Sequence, residues 1–168
     1  MKNRKTLKLI YAALFAALIF IATQFLKVPL PFGYFNFGDC FIILSAFIIG
    51  GPYAIFASAI GSVLADIISG YAIYAPATLL IKSGMALSVI LIHKKNSKRY
   101  TTLICACTSE LIMICGYFLY DSMLYSFAAA LSTLPGSIFQ AVAAVMTSTA
   151  LVALLQSSGL MKFIKESL

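Results

Sequence analysis

Apolar residues fill four stretches of the chain, 6–26, 40–92, 100–120 and 133–155, and away from their ends the charged residues inside them are few: Asp66, Lys82 and Glu110. The runs are continuous rather than alternating. A hydrocarbon core about 30 Å thick calls for roughly 20 apolar residues per helix, whereas a barrel strand alternates over segments of about ten. The pattern therefore predicts membrane helices. Breakers divide it into six. The first helix is expected over 7–26, stopped by Pro29 and Pro31, and residues 31–38 form an aromatic outer loop. A short second helix over 39–49 ends at the turn Gly50-Gly51-Pro52, and a third runs over 53–69. After an outer loop at 70–75, Pro76 suits the first turn of a fourth helix reaching Ile92. The fifth is expected over 101–120, followed by a partly helical outer connection at 121–133. Pro135 then opens a sixth, ending near Gln156 before a short amphipathic tail. The fold class is all-α, a single polytopic membrane domain over 1–168.

Composition agrees. The 168 residues are 62% hydrophobic and 10% charged, with mean hydropathy +1.01, more apolar surface than a soluble chain of this length can bury. The net charge of +7 is membrane-surface charge, not a nucleic-acid footprint. Ten of the twelve basic residues fall in three clusters: Lys2, Arg4, Lys5 and Lys8; Lys94, Lys95, Lys98 and Arg99; Lys162 and Lys165. Lys27 lies in an outer loop. The positive-inside rule places both termini and the 93–100 loop in the cytoplasm, which requires an even number of spans. The first span imitates a signal peptide, but its apolar run continues to Leu26 and Lys27-Val28-Pro29-Leu30-Pro31 offers no small-residue cleavage site. It is expected to be retained.

Several chemistries lack their residues. Cys40, Cys105, Cys107 and Cys115 form no C-x-x-C pair and read as small packing residues, and His93 is the single histidine, so no metal site and no cofactor is expected. There is no G-x-x-x-x-G-K-[ST], so ATP hydrolysis through a phosphate loop is excluded, and no H-E-x-x-H or G-x-S-x-G; an intramembrane hydrolase would have to use Asp66 and Glu110, lone carboxylates on separate helices.

Orientation turns the scattered polar residues into a pattern. Asp39, Asp66, Lys82 and Asp121 fall in the outer half, Glu110 near the midplane, and Tyr34, Phe35, Phe37, Tyr71, Tyr74 and Tyr117 at the outer face. Charged residues are costly in a membrane and mark function by default. Together they describe a small-molecule site open to the outside. The competing explanation is an interfacial aromatic belt with a structural Asp66–Lys82 ion pair. On the third helix Ala57, Gly61, Ala65 and Ser69 share a small face suited to close helix packing, beside the polar stripe Ser58, Ser62 and Asp66. Ala12/Ala16 and Ala13/Ala17 on the first helix suit internal packing or a docking face for a partner. A stand-alone proton-coupled carrier using Asp66 and Glu110 is the rival from another class, although no inverted repeat is visible.

The stretches Asn36-Phe37-Gly38-Asp39, Ile49-Gly50-Gly51-Pro52, Gly61 to Asp66, Gly70-Tyr71 and Tyr74 to Thr78 with Lys82 resemble the substrate-binding S components of energy-coupling factor (ECF) vitamin transporters, in the riboflavin, hydroxymethylpyrimidine and pyridoxine-type subgroup. The resemblance implies a six-helix subunit for high-affinity uptake of a vitamin or vitamin precursor, with pyridoxine, pyridoxamine or hydroxymethylpyrimidine ahead of riboflavin. It implies recognition here and energy from partners, a transmembrane scaffold subunit and two ATP-binding subunits. By position it points to Asn36, Tyr74, Lys82, Glu110, Tyr117 and Gln140, with Asp39 and Asp66 nearby. It also matches the scaffold-contacting AxxxA motif to Ala12/Ala16 or Ala13/Ala17, which favours docking there. The expected location is the prokaryotic plasma membrane.

Overall fold

A computed structural model describes residues 2–30, 33–95 and 100–167. Pro31 of the outer loop, and Lys98 and Arg99 of the central basic loop, lie outside the described residues. The described elements run α1 (Lys2–Phe25), β1 (Lys27–Leu30), β2 (Gly33–Asn36), α2 (Gly38–Ile48), α3 (Gly51–Ile68), a 3-10 turn (Ala72–Tyr74), α4 (Ala75–Lys95), α5 (Thr101–Leu124), α6 (Phe127–Ser157) and α7 (Leu160–Ser167).

Five of these helices, α1 and α3 to α6, are long and apolar enough to cross a membrane. The sixth expected helix, α2, is present but shorter. α2 has 11 residues, about 16 Å at 1.5 Å per residue, half of a hydrocarbon core. Gly50 and Gly51, with φ of 62° and 57°, end it, because the chain reverses through a backbone region that glycine enters without strain. The amides of Ile49 and Gly50 both close on the Ser45 carbonyl. Its surface is also unlike the others. Every residue from Gly38 to Ile48 except Phe41 is buried, so α2 is the core of the bundle. The spanning helices instead turn large apolar side chains outward, such as Leu80 at 71% and Met146 at 66% exposure, as lipid-facing surfaces do.

α1 packs on α3 through small residues. A Cβ on Gly61 would stand 2.5 Å from the Ala16 carbonyl oxygen, and Ala57 and Ala65 are buried beside it. The small face read from sequence is thus internal packing. It also separates the two alanine registers of α1: Ala12 is buried and Ala16 meets α3, while Ala13 and Ala17 are exposed.

Two expectations about loops change. Gly33–Asn36 of the expected outer loop form β2, which pairs antiparallel with β1, Lys27 opposite Asn36. Pro135 does not open the sixth helix. α6 begins eight residues earlier at Phe127 and holds Pro135 inside it. Ser126 caps that start, its hydroxyl accepting the Ala129 amide at 3.1 Å, and α5 runs on to Leu124, so little of the 121–133 connection remains. Membrane helices tolerate such a proline where nearby hydroxyls take up backbone groups. Here the carbonyl that loses its amide donor is that of Leu131, and Ser132 and Thr133 donate to the carbonyls just before it, of Ala129 and Ala130.

Candidate functional site

One end of the bundle brings together Lys8 of α1, His93 and Lys94 of α4 and Lys165 of α7; the cavity lies at the other. It is lined from five helices: Thr23 of α1, Ser62 and Asp66 of α3, Thr78 and Lys82 of α4, Met113, Tyr117 and Asp121 of α5, and Thr133, Gly136, Ser137 and Gln140 of α6, with Asn36, Tyr71 and Tyr74 from the connecting segments. Its volume is about 320 Å³. Helical spacing explains why each helix contributes as it does. Thr78 and Lys82 are four apart, Met113, Tyr117 and Asp121 follow at four-residue steps, and Thr133, Gly136, Ser137 and Gln140 hold one face of α6.

A polar chain runs beneath the cavity. Lys82 Nζ is ion-paired to Asp39 Oδ1. Gln140 Nε2 donates to the other carboxylate oxygen at 2.6 Å. Asn36 Nδ2 donates to Gln140 Oε1 at 3.2 Å, and the Gly38 amide donates to Asn36 Oδ1 at 3.0 Å. Four elements, α4, α2, α6 and β2, are tied through one buried carboxylate. Asp39 is only 1% exposed and sits behind the wall rather than in it. Burying a charge requires such pairing and hydrogen bonding. The lysine's partner is therefore Asp39, not the Asp66 that sequence depth suggested.

The upper wall is aromatic. Tyr74 lies between Tyr71, Tyr117 and Tyr120, at ring centroid separations of 6.4, 6.4 and 5.5 Å. Its hydroxyl donates to Asp121 Oδ1 at 2.8 Å, and Thr133 donates to Asp121 Oδ2 at 3.2 Å. Thr78 and Tyr117 share a hydrogen bond of 2.9 Å, and Lys82 Nζ stands 5.4 Å from the Tyr117 ring centroid. Tyr120 donates to the Ile73 carbonyl, pinning the 3-10 turn that carries Tyr74.

Of the residues anticipated from sequence, Asn36, Asp66, Tyr74, Lys82, Tyr117 and Gln140 line this one cavity, while Asp39 and Glu110 do not. Glu110 is 2% exposed. Neither of its carboxylate oxygens has a hydrogen-bond partner among the described residues. It lies one turn before Met113 on the same face of α5. Thr23, Thr133 and Ser137 are lining residues absent from the sequence-based expectation. The signal was available: with α6 started at Ser126, the spacing of Thr133, Ser137 and Gln140 marks a polar face.

Comparison with known proteins agrees with this geometry. A family model described as "ECF-type riboflavin transporter, S component" matches residues 3–157. A Pyrococcus woesei protein, described as an uncharacterized protein in the gap 3′ region, is 32% identical over 128 residues, which cover 75% of this chain and 86% of that protein. The resemblance seen in residues 36–82 thus extends over nearly the whole chain. With its bilayer-length apolar helices, this is a multi-pass cell-membrane protein, and the chain belongs to the ECF-type riboflavin transporter S component family, the substrate-binding subunits of vitamin uptake.

Proposed function

We propose that the cavity binds a planar, unphosphorylated heterocyclic vitamin the size of pyridoxine or hydroxymethylpyrimidine, for delivery to an ECF scaffold subunit driven by two ATP-binding subunits. The observation that carries the reading is the pairing of a tyrosine wall with a buried polar floor in a single cavity. Tyr74 and Tyr117 offer ring faces to an aromatic ligand. Asn36 and Gln140, already fixed by the Asp39 chain, present oriented amides, and Asp66 and Asp121 present acceptors to ring N–H, amino or hydroxymethyl groups. Preorganised polar groups give selectivity, because an analogue missing one group leaves a desolvated partner unmatched at a cost of about 1–3 kcal/mol.

Charge excludes phosphate esters. The one lysine of the cavity is committed to Asp39, while two further carboxylates, Asp66 and Asp121, line the wall. The volume of about 320 Å³ is at the small end of the range for small-molecule sites, roughly 300–1,000 Å³, which supports a single-ring ligand. Riboflavin is the second reading, supported by the description of the matching family. Among the proposed partner contacts, Ala13 and Ala17 carry the scaffold-facing role, since Ala12 and Ala16 are spent on α3.

The test is calorimetric titration of the detergent-solubilised chain with pyridoxine, pyridoxamine, hydroxymethylpyrimidine, riboflavin and their phosphate esters, alongside mass spectrometry of any co-purified molecule. Binding of one unphosphorylated single-ring vitamin supports the proposal. Riboflavin alone replaces it by the second reading, and tight binding of a phosphate ester refutes the charge argument. Uptake into vesicles holding only this chain, driven by a pH gradient, would make it a carrier in its own right.

A further inference from the structure

The early end of α2 leaves a space at the opposite pole of the bundle. α2 starts beside Thr23, since a Cβ on Gly38 would collide with that side chain, and descends about 16 Å; from Thr23 back to Arg4, α1 descends about 28 Å. Under the last turn of α2 is a second cavity of about 400 Å³. Its roof is residues 46–50, and its walls bring Lys8 from α1, His93 and Lys94 from α4, and Lys165 from α7. Three lysines from three helices converge with no carboxylate among the lining residues. The acid of α7, Glu166, pairs instead with Lys162 at 3.8 Å. Lys165 Nζ donates to His93 Nε2 at 3.4 Å, and the buried Nδ1 of the same ring has no hydrogen-bond partner among the described residues. Phe47 holds the ring in place at 4.7 Å.

The carbonyl end of α2 does not balance this charge, since a helix terminus carries about half an elementary charge. An anion is the missing component. The roof and wall also contain Phe47, Ile48, Ile49 and Ile90, and α7 is amphipathic, with Met161 buried and Phe163 71% exposed. A short helix of this kind lies in the interface plane. Apolar surface beside a lysine cradle at the cytoplasmic end matches the chemistry of a phosphate group at the membrane surface. We infer that this cavity is a binding site for a phosphate group, carried by the headgroup of an anionic phospholipid of the inner leaflet or free in solution, held by Lys8, His93, Lys94 and Lys165. The site is independent of the vitamin reading.

Native mass spectrometry of the full chain in detergent tests it, with titration by phosphatidylglycerol, phosphatidylcholine and, separately, inorganic phosphate. Phosphatidylglycerol is expected to be retained about tenfold or more over phosphatidylcholine, and the Lys8→Gln/Lys165→Gln double variant to lose that preference. Lys162→Gln, on the same helix but outside the cavity, keeps it. Retention of the lipid without competition by inorganic phosphate identifies the lipid source; saturable binding of inorganic phosphate, lost in the double variant, identifies the soluble one. If the double variant fails to melt cooperatively, Lys94→Gln provides the second measurement, with a partial loss of preference. Equal retention of the two lipids with no phosphate binding overturns the site, as does an equal loss in Lys162→Gln.

Discussion

Lys82 of α4 and Asp39 of α2 form an ion pair in which the side chains are 6% and 1% exposed. Gln140 of α6 closes the carboxylate's second oxygen at 2.6 Å. Removing one member of such a pair leaves an uncompensated buried charge, at about 3–5 kcal/mol, whereas replacing both by apolar residues is far milder. Lys82→Met is therefore expected to lower the thermal midpoint of the detergent-solubilised protein sharply, and Lys82→Met with Asp39→Leu to recover most of the loss. A double variant no better than the single one would show that the pair does not act as a unit.

Gln140 is the joint of the polar floor, donating to Asp39 and accepting from Asn36. Gln140→Leu keeps the approximate volume and strands both partners. The expected outcome is a fall in vitamin affinity of about tenfold or more, within the ~1–3 kcal/mol range for an unmatched buried group. Calorimetry reads it directly, and unchanged affinity would remove the floor from recognition.

Glu110 has a different standing, because it is buried behind the wall rather than exposed to the cavity. Glu110→Ala is expected to reduce affinity at least about tenfold, or 1.4 kcal/mol, by changing the field at Lys82. If Glu110→Ala titrates like the parent protein, the residue serves packing alone.

These positions show what the sequence carried and what it did not. Depth was legible in part: the apolar runs put Asp66 and Lys82 near one end of their helices, and both line the same cavity, because each residue of a membrane helix advances a fixed distance along its axis. Azimuth was not. Asp39 and Asp66 are both near the outer end, and nothing in spacing says which of α2 or α3 turns its carboxylate toward α4 at Lys82. The pairing depends on α2 being buried nearly all round, a property of its neighbours. Pro135 looks like a first-turn proline, and the Ser126 cap nine residues earlier has the same local chemistry as many loop serines, so spacing alone misplaces the start of α6. The two alanine registers of α1 were indistinguishable until Gly61 of α3 was seen against Ala16.

That α1–α3 contact makes its own prediction. With the Gly61 Cβ position 2.5 Å from the Ala16 carbonyl oxygen and 3.0 Å from Ile19 Cβ, even Gly61→Ala forces the helices apart. Overpacking of this kind costs about 1–3 kcal/mol. Melting in detergent is expected to fall, with vitamin affinity also reduced because Thr23, Ser62 and Asp66 line the cavity from these two helices. A variant as stable as the parent would mean the contact is looser than described.

The proposed docking role of the remaining face of α1 can be tested by separating binding from transport. Ala13 and Ala17 are exposed, amid Leu9, Ile10, Leu14 and Ile21 at 62, 59, 52 and 48% exposure. Small residues on a lipid-facing stripe let another helix approach closely, and neither alanine lines the vitamin cavity. Ala13→Trp with Ala17→Trp is expected to abolish uptake by the assembled transporter while leaving vitamin affinity of the isolated chain within about twofold, less than ~0.5 kcal/mol. Ala12→Trp should behave oppositely: Ala12 is 8% exposed, so the ring has no room and the chain itself is destabilised. Full uptake by the double variant in cells that contain the scaffold and ATP-binding subunits would move the docking surface elsewhere. Loss of vitamin affinity alongside uptake would instead mean that this face supports the fold.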